Sequence, residues 1–194
     1  MKSDARSYYA SIDHYLLYAQ LSAYIDDQYV PRLVWRYLKR TVCYGGLYRD
    51  VERGISLGCP LSPLMGALYL KPLDDAMEAG GLCYVRYMDD WIVIAPSRWK
   101  LRKAVRTVNQ VLTSLPLEQH PDKTFIGRAE KGFDFLGYHF TPDRLTVAKK
   151  TIQRFVERAS RLYEREPGEP YGSSRFWDYV KRWVRDRSNG GKSS

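Results

Sequence analysis

Pairs of neighbouring aspartates occur three times in this chain of 194 residues, and one pair has surroundings suited to metal chemistry. The pairs are Asp26-Asp27, Asp74-Asp75 and Asp89-Asp90. The first two fall near helix ends or on predicted helical surfaces, whereas Asp89-Asp90 separates the apolar runs 85–87 and 91–94. Two like charges at the tip of a hairpin repel each other, and a divalent cation is the usual remedy. A tight turn capped by two aspartates explains the segment equally well.

Asp4 is the candidate third acid. If its strand lies beside the hairpin, Asp4 and Asp89 can face each other and bind two magnesium ions. Mg²⁺ prefers oxygen ligands and keeps several waters, so two or three carboxylates suffice. Two such ions, roughly 3.5–4 Å apart, can activate a hydroxyl nucleophile and stabilise a departing group. Taken alone, Asp4 is more typical of a surface turn.

The elements that would position these acids follow from apolar spacing and from Gly and Pro breakers. The first residues predict a short strand running into a turn, and residues 83–87 and 91–95 predict a hairpin. Further strands are predicted over 124–126 and 133–140. Helices are predicted over 14–25, 31–37, 64–77, 100–115, 148–163 and 176–187. Breakers are predicted at Gly45-Gly46, 54–63 and 166–170, and a frayed polar end over 189–194. This order indicates an α+β fold, with helices backing a largely antiparallel sheet.

Charge is the clearest feature of the composition, with a formal net charge of +9 and a pI of about 9.4. Residues 141–194 contribute six of these nine positive charges. Such a surplus favours polyanionic partners, because neutralised phosphates release counterions. A solvated basic helix explains the tail as well. No signal peptide and no apolar run of membrane-spanning length occurs, so we expect a cytoplasmic protein without a membrane partner.

Five short segments, in this order, resemble the motifs of the reverse transcriptase family. They are residues 4–9 (DARSYY), 54–63 (GISLGCPLSP), 87–90 (YMDD), 120–124 (HPDKT) and 135–138 (FLGY). Each match is short, but five in order with plausible spacings are hard to obtain by chance. The resemblance covers residues 2–147. The Ser-Pro, Lys-Thr and Phe-Leu-Gly sequences are similar to bacterial group II intron-like enzymes rather than to retroviral ones.

The resemblance implies a polymerase palm over residues 1–147 and a helical partial thumb over 148–194. Lys2 is the only basic residue before Asp4, so the family's upstream fingers, with their basic triphosphate-binding residues, are expected to be absent. The implied activity is RNA-directed DNA polymerisation by a truncated enzyme. Its partners would be an RNA template, a DNA or RNA primer and dNTPs. Leu57 stands where the family usually has Gln, which removes a polar contact near the nucleotide.

The resemblance also assigns catalytic roles. Asp4 and Asp89 would bind two Mg²⁺ ions, with Mn²⁺ as an alternative, and Asp90 would be an auxiliary metal-binding acid. Lys123 would donate a proton to departing pyrophosphate. An exposed loop lysine explains Lys123 equally well.

Two further residues are implied to contact the dNTP. The ring of Tyr9 would clash with a 2′-hydroxyl and so select deoxynucleotides, although a core tyrosine is the simpler interpretation. Gly58 would let the backbone approach the nucleotide closely, as glycine permits. Residues 135–137 would grip the primer, or would simply pack as an apolar strand.

Two other functions remain open. A non-catalytic RNA-binding remnant of a reverse transcriptase or maturase would bind RNA in a salt-sensitive way without incorporating nucleotides. A structural domain that merely inherited the palm would have negligible RNA affinity. Asp4, Tyr9, Asp89 and Asp90 favour the enzyme, because a drifted remnant need not keep them.

Overall fold

The computed structural model describes residues 1–165 and 175–189, and it divides into two compact units, Met1–Gly127 and Arg128–Ser194. The breaker predicted over 166–170 and the polar end beyond residue 189 lie outside the described residues. The observed α+β architecture, with antiparallel strand pairs and surrounding helices, confirms the predicted fold class. The palm–thumb boundary between residues 147 and 148 stays a prediction.

A three-stranded antiparallel sheet forms the centre of the first unit. Its strands are β1 (Lys2–Asp4), β4 (Cys83–Tyr87) and β5 (Asp90–Ile94), in the order β1-β5-β4. Trp91, Ile92 and Val93 are buried because β5 is the central strand. The sequence predicted burial for both strands of the hairpin, but β4 alternates between exposed and half-buried residues because it lies at the sheet edge.

The free edge of β1 is paired by the segment that follows the last helix of this unit. Lys2 and Phe125 exchange two backbone hydrogen bonds of 2.8 Å, and the His120 amide donates to the Asp4 carbonyl at 2.9 Å. The strand predicted over 124–126 is reduced to a single bridge at Phe125. A 3-10 turn over Pro121–Lys123 interrupts the pairing, since proline has no amide hydrogen to donate.

Six helices surround this sheet. They are α1 (Tyr8–Ser11), α2 (His14–Tyr24), α3 (Tyr29–Leu38), α4 (Ser62–Tyr69), α5 (Lys71–Ala79) and α6 (Arg98–Ser114). The single helix predicted over 64–77 is wrong, because the chain breaks at Leu70 and restarts with Pro72 in the first turn of α5. α3 begins two residues before the predicted Pro31.

An exposed hairpin was not predicted. It consists of β2 (Thr41–Tyr44) and β3 (Leu47–Asp50), joined by Gly45 and Gly46 at φ angles of 59° and 81°. Two consecutive positive φ angles suit a tight hairpin turn, which explains the glycine pair. All eight strand residues are exposed, so the segment lacks the buried alternation that normally reveals a strand.

The second unit is a three-stranded antiparallel sheet followed by two basic helices. Its elements are β6 (Phe133–Phe135), β7 (Tyr138–Phe140), β8 (Leu145–Val147), α7 (Lys149–Arg165) and α8 (Arg175–Asn189). The single strand predicted over 133–140 is wrong, because Leu136 and Gly137 turn the chain with φ angles of 50° and 83°. The rings of Phe155 and Trp183, 4.3 Å apart, join α7 to α8. No described helix combines the length and apolar character needed to cross a bilayer.

Gly54 and Gly58 have nearly equal φ angles, but alanine substitution should lower the unfolding free energy by different amounts at the two positions. Gly54 has φ +84°, and a Cβ there would lie 2.9 Å from the backbone of Ala10. Gly58 has φ +83°, but apart from Gly58 itself and its two chain neighbours no described residue has an atom within 4 Å of its Cβ position. Gly58→Ala should therefore cost about 1–2 kcal/mol of unfolding free energy from backbone strain alone.

Gly54→Ala should cost more than Gly58→Ala, because the α1 backbone must also move. Urea denaturation of the two variants measures the difference. Equal losses of unfolding free energy would contradict this packing of the loop against α1.

Candidate active site

The three predicted acids lie at one end of the central sheet. Asp4, the last residue of β1, is the register partner of Asp90, the first residue of β5. Directly opposed residues of an antiparallel pair point to the same face of the sheet. Asp89 lies in the turn between β4 and β5, and its carbonyl accepts a 3.2 Å hydrogen bond from the Ala5 amide. The backbone pairing alone therefore brings the amino-terminal acid to the hairpin acids.

These carboxyl groups influence one another electrostatically. Burial and then the charge of Asp4 raise the pKa of Asp89. Burial, followed by the charges of Asp4 and Asp89, raises the pKa of Asp90. Asp4 is only 2% exposed, so it is not the surface turn residue that its sequence context suggested. At this end of the sheet, burial and neighbouring carboxylates disfavour the charged forms of Asp89 and Asp90.

Lys123 partly compensates this charge. Its Nζ donates to Oδ2 of the buried Asp4 carboxylate, while its own side chain remains 57% exposed. The hydrogen bond to Asp4 raises the pKa of the Lys123 ammonium. Lys123 is thus an exposed loop lysine, as the simpler interpretation held, and it is also bonded to a predicted metal ligand. The pairing of β1 with the His120 segment brings the two residues together.

The carboxylate oxygens of this site suit a hard divalent cation, although one oxygen of Asp4 is already bonded to Lys123. Oδ1 of Asp4 is buried and has no hydrogen-bond partner among the described residues, which leaves a dry anionic acceptor unsatisfied. Within the described part of the chain, no three His, Cys, Asp or Glu side chains form a ready-made metal cluster. Oδ2 of Asp4 is bonded to Lys123 instead. A cation bound by Asp4 would therefore compete with the Lys123 ammonium.

Tyr9 lies beside this group of acids. Its pKa is raised by burial and then by the charges of Asp89 and Tyr87, so its hydroxyl lies within electrostatic range of Asp89. A Cβ on Gly66 of α4 would lie 3.2 Å from the ring, which shows how tightly α4 packs there. Tyr9 is half-buried rather than enclosed in the core. Its side chain is therefore partly open to solvent.

Gly58 lies in the exposed part of the loop between β3 and α4. The start of this loop is tied to α1, because the Ile55 amide donates to the Tyr9 carbonyl at 2.8 Å. The φ of +83° at Gly58 explains the glycine, since other residues avoid this conformation. The neighbouring Leu57, which replaces the family's usual Gln, is 80% exposed. The described protein surrounds Gly58 loosely, so no internal contact demands its small size.

Arg86 and Asp74 also belong to this region, and neither is among the site residues that the sequence motifs indicate. Arg86 in β4 forms an ion pair with Asp74 in α5 and also bonds to the carbonyl of Met88, next to Asp89. Asp74 had been assigned to a helical surface. The alternation of β4, which puts Tyr84 and Arg86 on one face, was the available signal.

The sequence of this chain is similar to that of known proteins of one family. Residues 1–140 match the family described as reverse transcriptase (RNA-dependent DNA polymerase). Protein YkfC of Escherichia coli (strain K12) is 25% identical over 179 residues, in a match that covers 74% of this chain and 47% of YkfC.

Two solved telomerases share the fold. The telomerase of Candida albicans, solved with the TWJ fragment of telomeric RNA, has a TM-score of 0.60 at 15% identity. That match covers 84% of this chain and 34% of the telomerase chain. An apo telomerase of Candida tropicalis, truncated from its C-terminal domain, has a TM-score of 0.53 at 13% identity, covering 76% and 35% of the two chains.

The chain spans about half the length of YkfC and about a third of the two telomerase chains. The family match nevertheless extends over most of this sequence and includes the segments that contain Asp4, the hairpin acids and Lys123. The chain therefore belongs to the reverse transcriptase (RNA-dependent DNA polymerase) family.

Proposed function

We propose that this chain is the palm, residues 1–147, and partial thumb, residues 148–194, of a group II intron-like reverse transcriptase. In this proposal it copies an RNA template by adding dNTPs to the 3′-hydroxyl of a DNA or RNA primer. The main support is the register of the central sheet, which pairs Asp4 with Asp90 next to Asp89. The Ser62-Pro63, Lys123-Thr124 and 135–137 sequences are the basis for the subtype.

Asp4 and Asp89 are the proposed ligands of two Mg²⁺ ions, with Asp90 as an auxiliary acid and Mn²⁺ as an alternative metal. Bound ions of this kind make a hydroxyl more acidic and neutralise charge that develops on the attacking and departing oxygens. The unsatisfied Oδ1 of Asp4 and the raised pKa values of Asp89 and Asp90 support this assignment. The first is a buried acceptor without a donor, and the other two are carboxyls whose charged form is disfavoured by burial and by neighbouring negative charge.

Lys123 is the proposed general acid toward departing pyrophosphate. A general acid must be protonated before the reaction, and the Lys123 ammonium meets this condition at neutral pH. Its bond to Asp4 raises its pKa and so makes it a weaker proton donor, which a cation bound by Asp4 would reverse. Its bond to Asp4 supports a position beside the reacting groups. The exposure of its side chain lets a lost proton be replaced from solvent.

Tyr9 and Gly58 are the proposed dNTP contacts. A half-buried ring beside Asp89 is suited to packing against the sugar and to excluding a 2′-hydroxyl. Gly58 would present its backbone to the nucleotide from an exposed loop that Ile55 ties to Tyr9. The net charge of +9 supports binding of nucleic acid to the same molecule.

Primer extension on an RNA template with Mg²⁺ tests the proposal. Asp89→Ala/Asp90→Ala should reduce extension to background, because it removes the proposed metal ligands. Asp26→Asn/Asp27→Asn is the matched control and should extend like the parent chain, since it removes an equal charge from an exposed aspartate pair and keeps the Asp27 oxygen that accepts from the Tyr29 amide.

Equal extension by the parent and Asp89→Ala/Asp90→Ala would rule out catalysis through these acids. Salt-sensitive RNA binding by a parent chain that incorporates no nucleotide would instead identify an RNA-binding remnant.

Substitution of Tyr9 tests sugar selection. Tyr9→Val should raise the kcat/KM for ribonucleotides relative to deoxyribonucleotides by about 10- to 200-fold, the range that one steric contact can supply. Tyr9→Phe keeps the ring and should retain the parent's discrimination. An unchanged ratio in Tyr9→Val, measured by single-nucleotide incorporation, would remove Tyr9 from this role.

The raised pKa values predict how stability depends on pH. Stability associated with Asp89 and Asp90 is present below their unfolded pKa of about 3.9 and is lost as pH rises through the higher folded values. Asp89→Asn/Asp90→Asn should therefore have a higher Tm than the parent at pH 7 in EDTA. The two Tm values should converge as the pH falls toward about 4. A variant that is less stable than the parent at pH 7 would contradict this electrostatic account.

Magnesium should raise the Tm of the parent chain at pH 7. At ten times its Kd, a ligand that binds only the folded chain stabilises it by about 1.4 kcal/mol. For a chain of this size, that corresponds to a Tm increase of roughly 3–6 °C. The parent should show this increase and Asp89→Asn/Asp90→Asn should not. An equal Mg²⁺ response of both proteins would place the binding elsewhere.

A further inference from the structure

The guanidinium of Arg86 connects the hairpin of the acids to helix α5. Its Nε donates to Oδ1 of Asp74 at 2.7 Å, and its Nη2 donates to Oδ2 of the same carboxylate. Two parallel bonds of this kind fix both the distance and the plane of the guanidinium. The Arg86 side chain is 11% exposed and that of Asp74 is 34% exposed, so water screens the pair from the side of the carboxylate only.

Arg86 makes further contacts on its other side. Nη1 donates to the carbonyl of Met88 at 2.8 Å, and Nη2 donates to the carbonyl of Ala67 at 3.2 Å. One side chain thus bridges the hairpin turn, α4 and α5. A lysine could not make these contacts together, because its ammonium is a single point of charge on a flexible stem.

Met88 needs an external contact to keep its conformation. Its φ of +55° lies in the left-handed region, which costs a non-glycine residue about 1–2 kcal/mol. Such conformations persist where the surrounding structure determines them. The bond from Arg86 to the Met88 carbonyl is a contact of this kind.

The Met88 carbonyl is directly linked to the position of Asp89. This carbonyl and the Asp89 amide belong to one planar peptide unit, so fixing one fixes the orientation of the other. The Asp89 carbonyl in turn accepts a hydrogen bond from Ala5, the residue after Asp4. Arg86 therefore acts on the peptide that leads from β4 into the group of acids.

Asp74 is itself held in place from a second direction. The Tyr84 hydroxyl donates to Oδ1 of Asp74 at 2.9 Å, the same oxygen that accepts from Nε of Arg86. Tyr84 and Arg86 are two residues apart in β4 and so share one face of the strand. Both residues converge on one carboxylate, which makes the arrangement rigid.

We propose that Arg86, oriented by Asp74 and Tyr84, is a positioning residue that fixes the Met88–Asp89 peptide and thereby the metal-binding geometry of Asp89. The metal-binding part rests on the proposed function. The positioning part rests on the hydrogen bonds alone and can be measured without any activity.

The test compares Arg86→Lys and Asp74→Asn with Asp75→Asn in the full chain. Asp75 is the matched control, because it is the next residue of the same helix and pairs with Lys71 on the surface at 2.5 Å. The first measurement is hydrogen exchange of the Ala5 amide, which donates to Asp89. The Lys2 amide, which donates to Phe125 from the same strand, reports on general loosening.

Arg86→Lys and Asp74→Asn should each speed exchange at Ala5 by about tenfold while exchange at Lys2 stays unchanged. Each should also weaken Mn²⁺ binding, measured by electron paramagnetic resonance, by about 10- to 100-fold. Asp75→Asn should remain within about twofold of the parent in both measurements.

Equal acceleration at Ala5 and Lys2 would show that Arg86 acts on overall stability, and would overturn the proposal. Exchange at Ala5 that matches the Asp75→Asn control would also overturn it. A parent chain that neither binds Mn²⁺ nor extends a primer would instead refute the proposed function, and the Ala5 measurement would still decide whether Arg86 positions the turn.

Discussion

Mutual repulsion among carboxylates at one end of a sheet is the constraint on which this structure depends. Asp4 is almost fully buried and lies opposite Asp90, with Asp89 in the adjoining turn. A buried charge is costly unless a partner compensates it, and among the described residues the compensation is incomplete. Lys123 satisfies one oxygen of Asp4 and leaves the other without a hydrogen bond. A fold that retains such a cost is expected to use it for function.

The strand register makes this repulsion unavoidable. A shift of one residue between β1 and β5 would turn Asp4 to the opposite face of the sheet. Pairing on both edges of β1 prevents that shift: β5 lies on one side, and on the other the Phe125 segment exchanges two backbone bonds with Lys2. The same second pairing brings Lys123 to Asp4 across 119 positions of sequence. The strand pairing that fixes the position of Asp4 thus also brings the Lys123 ammonium to it.

Local patterns were sufficient to predict the centre of the fold. The YMDD segment between apolar runs predicted the β4–β5 hairpin, because antiparallel pairing across a short turn and a two-residue side-chain period follow from local sequence. The pairing of the Asp4 strand with that hairpin was only a condition of the metal-site hypothesis, and the structure supplies it. The family match over residues 1–140 agrees with the motifs from which the resemblance was drawn.

Other features depended on contacts that no local pattern contains. The β2–β3 hairpin buries neither face, so periodicity could not reveal it. The apolar run around Leu70 favoured one helix, whereas backbone geometry at Pro72 produced two. The bond between Arg86 and Asp74 joins a strand to a helix, and a pair of aspartates on a helix gave no sign of it. Partners of this kind are determined by tertiary packing.

The most direct measurement is the position of Mn²⁺ in crystals of the full chain, located by anomalous diffraction. We expect an anomalous peak liganded by the carboxylates of both Asp4 and Asp89, at the end of the central sheet. Manganese bound without either carboxylate, or carboxylates too far apart to share an ion at saturating Mn²⁺, would contradict it.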